Sequence, residues 1–372
     1  MRRTSKDLEI FAVEDTTAQL IWSALPAGQV EVRGPGRRVD LVSDGGPGGL
    51  VVEGLAPDTP LELSVSVDGR PIGSAAATTL SSPLGAELYR FASITDLHLG
   101  AVAFDLHGRM IERGVSPAEA HPVRCARAAV RDALAWGAER IIVKGDVTNV
   151  SHTHHWALAA EVLGDLPVPV DMIPGNHDRN HRATVDAFAE ARRHGLTLHS
   201  DVSTVDVPGL RLMFVDSTVA GIDIGVWRPH RAAMLDAVAE VRTPVLLVVH
   251  HPPMATTVPL HLPRGIPAAV ANPILRRLRN ANPRVMGTSG HSHRHRRRVV
   301  AGVPWFETGS TKDYPGTWTG YVVHEGGIRQ VTRRITDPDC IEWTHRTRRA
   351  AAGAWGHWSP GKLADRSFVL DW

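Results

Sequence analysis

The chain has 372 residues, 43% hydrophobic and 22% charged, which excludes a disordered or membrane-embedded class and allows either two units or one large α/β unit with an added module. Its 41 basic and 39 acidic residues leave a formal charge of +2, too balanced for a nucleic-acid-binding surface over the whole molecule. Cys125 and Cys340 stand far apart without Cys-x-x-Cys spacing, which excludes a disulfide scaffold and a zinc ribbon.

The N-terminus, Met1-Arg2-Arg3-Thr4-Ser5-Lys6-Asp7, reaches an acidic residue before any apolar run of signal-peptide length. The longest apolar runs, such as Val245 to Val249, fall far short of the roughly 20 residues that span a bilayer. No transmembrane segment is expected, and the expected location is the cytoplasm. Residues 8 to 80 show short alternating runs broken by Gly and Pro: Leu8 to Val13, Ala18 to Trp22, Gln29 to Val32 and Leu61 to Val67. Several short turn-bounded strands predict a small all-β sandwich over 1–80. Trp22 after an apolar run and the phrase from Val52 to Leu61 resemble a fibronectin type III module. No chemistry-bearing cluster lies in it, so a spacer or a wall is its expected role. Leu80-Ser81-Ser82-Pro83-Leu84-Gly85 is polar and Pro/Gly-marked, the expected linker covering 81–87.

From Leu88 the pattern becomes strand, loop, helix, strand. Leu88 to Ile94 is a strand candidate that delivers Asp96 and His98 at its end. Val123, Ala126, Ala129, Val130, Ala133 and Leu134 recur at helical spacing; Pro122 suits the first turn and Gly137 follows the end. Ile141-Ile142-Val143 is a buried strand that leads to Asp146. The unit repeats with a helix from Trp156 to Leu163 and a strand from Val168 to Ile173 ahead of Gly175-Asn176-His177-Asp178. A helix near Thr184 to Arg193 follows, then a β-rich stretch from Leu196 to Val215 with Asp206-Val207-Pro208-Gly209 as its turn. Trp227-Arg228-Pro229 introduces a helix up to Val241; Val245 to Val249 carries His250 at its end, and Val285-Met286-Gly287 leads to His291-Ser292-His293. Alternation returns from Pro304 to Ile335, and the tail holds Trp343, Trp355, Trp358 and Trp372. The expected units are a catalytic one over 88–336 and a Trp-containing extension packed on it over 337–372.

Each polar cluster sits just past an apolar run, where α/β sheets gather their ligands. Singly they are weak signals, since Gly-Asp and His-x-His occur by chance. Together, Asp96-Leu97-His98, Gly145-Asp146, Gly175-Asn176-His177-Asp178, His250 and Gly290-His291-Ser292-His293 resemble the calcineurin-like metallophosphoesterase superfamily over residues 96 to 293. The resemblance implies a four-layer αββα sandwich, with the small β module in front of it. It implies two divalent ions about 3.5–4 Å apart, one held by Asp96, His98, Asp146 and His293 and the other by Asp146, Asn176, His250 and His291. Asp146 is the bridge, as a carboxylate with two oxygens serves best. The donor types leave the metal open among Mn, Fe and Zn.

The same resemblance implies a phosphoric ester hydrolase with a small phosphate-ester substrate, attacked by a hydroxide bridging the two ions. His177 would serve the leaving oxygen and Asp178 would orient His177. His250-His251-Pro252-Pro253 with the Gly-His-Ser-His run looks most like the bacterial cyclic-nucleotide phosphodiesterase branch, so phosphodiesters are the expected substrates; a phosphomonoesterase and a non-catalytic binding module on the same scaffold are the alternatives. Purple acid phosphatases carry a Tyr three residues after the bridging Asp, where this chain has Asn149. His251, His154 and Arg294 are candidate substrate contacts. For His152-Thr153-His154-His155 a pocket wall and a solvated loop both stand open, and for Arg294-His295-Arg296-Arg297-Arg298 an anion funnel and a solvated face do. Thr308 to Gly316 is turn-rich and carries no assigned role.

Overall fold

A computed structural model describes residues 8–104, 110–256 and 263–372; the first seven residues of the expected N-terminal unit lie outside them. The chain begins with β1 (Leu8–Val13), β2 (Thr17–Gly34), β3 (Arg37–Glu53), β4 (Pro60–Val67) and β5 (Arg70–Thr78). Next come β6 (Glu87–Ile94), the two-residue strands β7 (Ala103–Phe104) and β8 (Met110–Ile111), α1 (His121–Ala135), β9 (Ile141–Lys144), α2 (Thr153–Leu163), β10 (Val170–Ile173) and α3 (Ala187–Arg193). A second series holds β11 (Val202–Val207), β12 (Leu210–Val215), α4 (Arg231–Ala239), β13 (Val245–Val249), α5 (Ala268–Ala281), β14 (Val285–Ser289), β15 (Arg296–Val300) and β16 (Val303–Glu307). The chain closes with β17 (Thr317–His324), β18 (Gly327–Arg334), α6 (Pro338–Thr347), α7 (Ala354–Trp358), α8 (Leu363–Arg366) and β19 (Ser367–Asp371).

The N-terminal strands form the expected small all-β unit, with its five strands hydrogen-bonded as one antiparallel sheet. The reason is the length of β2 and β3, which pair along their whole course. A register shift between Trp22 and Leu25 divides β2 into a part that pairs with β1 and a part that pairs with β4. Both parts contribute to a single core that includes Leu8, Trp22, Val30 and Leu63.

The rest is a four-layer αββα arrangement. One six-stranded sheet runs β10-β9-β6-β17-β18-β19 and the other β11-β12-β13-β14-β16-β15. β6, β9 and β10 are parallel, as are β12, β13, β14 and β16. Parallel strands are covered on both faces and so read as unbroken apolar runs; every residue of β9 and of β13 is buried. Phe91, Ile142, Phe214, Leu246, Phe306 and Tyr321 fill the space between the two sheets. α1 and α2 cover the outer face of the first sheet, and α4 and α5 cover that of the second.

Pro122 stands in the first turn of α1 and Gly137 follows its end with φ 97°, the left-handed position that suits glycine. α3 begins at Ala187, later than expected, because Asp186 caps it by accepting from the Ala189 N–H at 2.8 Å. Sequence reasoning placed no helix over Ala268–Ala281, although Ala271, Ile274, Leu275 and Leu278 lie on its buried face; Pro273 inside the helix masked the signal. The segment 337–372 is more than a packed extension, since β19 is hydrogen-bonded to β18 as the last strand of the first sheet. Among the described residues no helix is long and apolar enough to cross a membrane.

Candidate metal centre

Five loops leave the C-terminal ends of β6, β9, β10, β13 and β14 and converge. They bring Asp96 and His98, Asp146, Asn176 and His177, His250, and His291 and His293 together. Asp96, His98, Asp146, His291 and His293 all have positive φ, between 48° and 67°. For residues other than glycine this conformation is uncommon and costs about 1–3 kcal/mol each, so surrounding contacts must hold them there.

Those contacts are visible. Both Asp96 oxygens accept from the His291 N–H at 3.1 Å, and Oδ2 also accepts from Thr95 Oγ1 at 2.7 Å. Ser310 Oγ donates to the Asp96 carbonyl at 2.9 Å. Gly290 lets the last loop approach, since a Cβ there would lie 2.0 Å from Thr95 Oγ1 and 2.6 Å from Asp96 Oδ2.

His98 Nε2 and His293 Nε2 face each other at 3.3 Å. His293 Nε2 is also 3.3 Å from Asp96 Oδ1, and His98 Nε2 is 3.6 Å from Asp146 Oδ2. Two nitrogens at this distance, next to carboxylates, match two corners of a tetrahedron with metal–nitrogen bonds of about 2.0–2.1 Å. On the other side, His250 Nε2 lies 3.4 Å from Asp146 Oδ2 and 3.1 Å from Asn176 Oδ1. Its Nδ1–H donates to the Lys144 carbonyl at 2.8 Å, which leaves Nε2 as the free donor atom. His291 Nε2–H donates to the Arg264 carbonyl at 3.1 Å, and its ring lies 5.0 Å from that of His250. The donor atoms of Asp96, Asp146 and His250, like those of Asp96, His98 and His293, lie within 4.8 Å of one another. Imidazole and carboxylate donors buried in this number fit two transition-metal ions.

Asp146 is arranged differently from the two-oxygen bridge expected. Its Oδ1 accepts the His177 N–H at 2.8 Å, so Oδ2 alone faces both His98 and His250. Asp178 does not touch His177 either. Its carboxylate accepts from the N–H groups of Val147, Thr148 and Gly175 and from Thr148 Oγ1, at 2.7–3.1 Å. It ties the Asp146 loop to the Asn176 loop, which satisfies three buried N–H groups. His177 is oriented instead by the Asn149 carbonyl, 2.8 Å from Nδ1; its ring meets that of His98 edge-on at 4.4 Å.

The candidate substrate contacts fare unevenly. His251 is fully buried, with Nδ1 2.8 Å from Ser217 Oγ and its ring 4.6 Å from that of His291. His154 is exposed on the first turn of α2. The Arg294 guanidinium packs over the Trp358 ring at 5.0 Å. Its neighbours follow suit: Arg297 lies over Phe368, and Arg298 pairs with buried Glu307 at 2.7 Å. These contacts turn most of the basic run into packing and not an anion funnel.

Two residues were missed by sequence reasoning. Asp313, fully buried, accepts from His293 Nδ1–H at 2.6 Å and from Trp355 Nε1–H at 3.2 Å. The available signal was an acidic residue in the turn-rich stretch from Thr308 to Gly316. Lys144, also fully buried, donates to Thr288 Oγ1 at 3.0 Å and to Thr308 Oγ1; burial pulls its ammonium down to about 7. Burial and His177 push His98 well below the usual imidazole range, and burial and His250 bring His291 down to about 3. Burial opposes charge on His250 too, yet Asp146 lifts it to about 9. Neutral imidazoles are the form that binds metal.

No known family model matches the chain. A segment is 32% identical over 123 residues to a glycerophosphodiester phosphodiesterase GpdQ of Enterobacter lignolyticus, covering 31% of this chain and 42% of that protein. A probable glycerophosphodiester phosphodiesterase GpdQ of Arcobacter nitrofigilis is 31% identical over 117 residues, with the same coverage. The chain thus spans less than half the length of either relative. Among solved structures, a dimetal phosphatase from Danio rerio superposes with a TM-score of 0.47 at 14% identity, covering 68% of this chain and 98% of that one. Purple acid phosphatase PPD1 from yellow lupin gives 0.48 at 11%, covering 89% and 72%.

Proposed function

We propose that this chain is a binuclear metal-dependent phosphoric ester hydrolase that prefers phosphodiesters. The observation that carries the reading is the convergence of two donor sets on one carboxylate oxygen, Asp146 Oδ2, from loops after five different strands. Asp96, His98, Asp146 and His293 would hold one ion, and Asp146, Asn176, His250 and His291 the other. When bound, two such ions activate water near neutral pH and stabilise charge on the oxygens of phosphorus.

The chain's own residues do the rest. The Asn149 carbonyl takes the Nδ1–H of His177 and so directs Nε2 away from this bond. His177 is then placed to hold a proton against the leaving oxygen, where a fixed donor lowers the barrier most. Asp313 and the Lys144 carbonyl fix the orientation of His293 and His250. Among the described residues, 8–80 form a buttress that brings no side chain to the metal centre, and those from 88 onward form the hydrolase.

Charge favours diesters. Two divalent ions would bring four positive charges, Asp96 and Asp146 would remove two, and a water activated to hydroxide would remove one more. Asp313 adds none, because Lys312 Nζ lies 3.6 Å from it. A phosphodiester monoanion neutralises the single charge left, while a monoester dianion oversteps it in a buried site where unpaired charge is costly. The names of the two sequence relatives support the same choice. The test is kcat/KM for bis-nitrophenyl phosphate relative to mono-nitrophenyl phosphate at neutral pH, with manganese or zinc supplied. A ratio above one is expected; a ratio clearly below one would favour the phosphomonoesterase, and no hydrolysis of either by metal-loaded protein would favour the binding module.

A further inference from the structure

α2 starts against the usual rules. Its N-cap is His152, with no side-chain cap hydrogen bond, and no acidic residue stands in its first turn. Ser, Thr, Asp or Asn would normally satisfy the free N–H groups there. Instead three histidines gather at this end of the helix. The His152 and His155 rings stack at 5.0 Å, and the His154 ring lies 4.3 Å from His155 and 5.5 Å from His152. One donor nitrogen from each lies within 4.8 Å of the others.

His155 supplies the independent observation. It is 4% exposed, and its Nδ1 is buried with no hydrogen-bond partner among the described residues. The Cδ2–Nε2 edge of the same ring is pressed against Gly100, where a Cβ would come within 2.0–2.1 Å of it. A buried ring nitrogen without a partner is costly, and this ring offers a nitrogen within 4.8 Å of those of two further imidazoles.

We infer that His152, His154 and His155 form a further metal site, separate from the centre around Asp146, that takes a borderline transition-metal cation such as zinc, copper(II) or nickel(II). Three imidazoles suit these ions and leave a fourth position for water or an anionic oxygen. The site lies at the N-terminal end of α2, and it touches Gly100, two residues beyond His98. The positive end of α2 opposes a cation, so this ion binds more weakly than those of the main centre and is the first removed by a chelator.

The test is zinc stoichiometry. Wild-type protein and the His152→Ala/His154→Ala variant are stripped with a chelator, dialysed against a small excess of zinc and measured by elemental analysis. The variant is expected to hold one equivalent fewer. Since one histidine is half-buried and the other exposed, the variant should keep its far-ultraviolet circular dichroism. If it does not fold, His154→Ala alone should weaken the same equivalent at least tenfold in a zinc titration. The comparison is repeated in the Asp146→Asn background, where the main centre is impaired; a difference of one equivalent should persist there, which separates this site from that centre. Equal zinc content with and without the histidines in both backgrounds would overturn the inference.

Discussion

At the scale of single residues, the centre is held by partners outside the donor set, and these can be tested one at a time. His293 depends on Asp313, whose carboxylate accepts its Nδ1–H at 2.6 Å. Asp313→Asn keeps the size but removes the charge, and loss of such a partner costs about 10–100-fold in metal affinity. Competition with a chromophoric chelator should show that weakening in one of two ions; unchanged affinity would mean that His293 is oriented by packing. His177 is the complementary case, because its Nδ1 is tied to the Asn149 carbonyl and its N–H to Asp146 Oδ1. In His177→Ala both ions should remain. Turnover should fall by about 10²–10⁴ on esters with poor leaving groups and by much less on activated nitrophenyl esters, a split readable by steady-state kinetics. Equal losses on the two would argue against proton delivery to the leaving oxygen. The sequence named His177 but gave it the wrong support. The resemblance suggested Asp178, whereas that carboxylate binds three backbone N–H groups and Thr148 Oγ1.

At the scale of elements, the parallel strands act as a common platform and the loops do the placing. Strand identity was legible because buried parallel strands are apolar throughout, as in Ile141-Ile142-Val143 and Val245 to Val249. Loop conformation was not, since nothing in the sequence announces that Asp96, His98, Asp146, His291 and His293 take positive φ. Their geometry survives because neighbouring backbones come very close. At Gly175 a Cβ would stand 2.1 Å from Asp146 Oδ1 and 2.3 Å from its amide nitrogen. Gly175→Ala must therefore displace Asp146 while leaving both sheets intact. The expected result is a native far-ultraviolet spectrum with the main-centre ions lost, by circular dichroism and elemental analysis on the same sample. Retention of both ions would show that the loop absorbs the clash without moving the carboxylate.

At the scale of the whole molecule, the N-terminal sheet is joined to the rest of the chain by buried polar contacts. Gln19 and Arg334 exchange two hydrogen bonds at 2.8 Å, and Arg366 Nε–H donates to the Phe11 carbonyl at 2.8 Å. Glu14, 3% exposed, pairs with Arg329 at 3.3 Å and with Arg333. In Glu14→Gln two cations lose a charged partner. Breaking a buried pair costs about 3–5 kcal/mol, and 1 kcal/mol moves Tm by about 2–4 °C in a chain of 150–250 residues; a fall of several degrees is expected by calorimetry, with metal content unchanged. A Tm within a degree of wild type would show that Asp15 and solvent take over the pairing. What the sequence determined by itself is the set of strand-end residues and their order, because each follows an apolar run whose burial is a local property of the chain. Only the tertiary structure decided the rest: that Asp313 serves His293, that Arg297 and Arg298 are spent on Phe368 and Glu307, and that Cys125 and Cys340 share one buried core. It also decided that β19 completes a sheet begun 280 residues earlier at β6. The physical reason is the same each time. These partners meet through pairing between elements remote in the chain, and such pairing leaves no period or spacing along the chain to read.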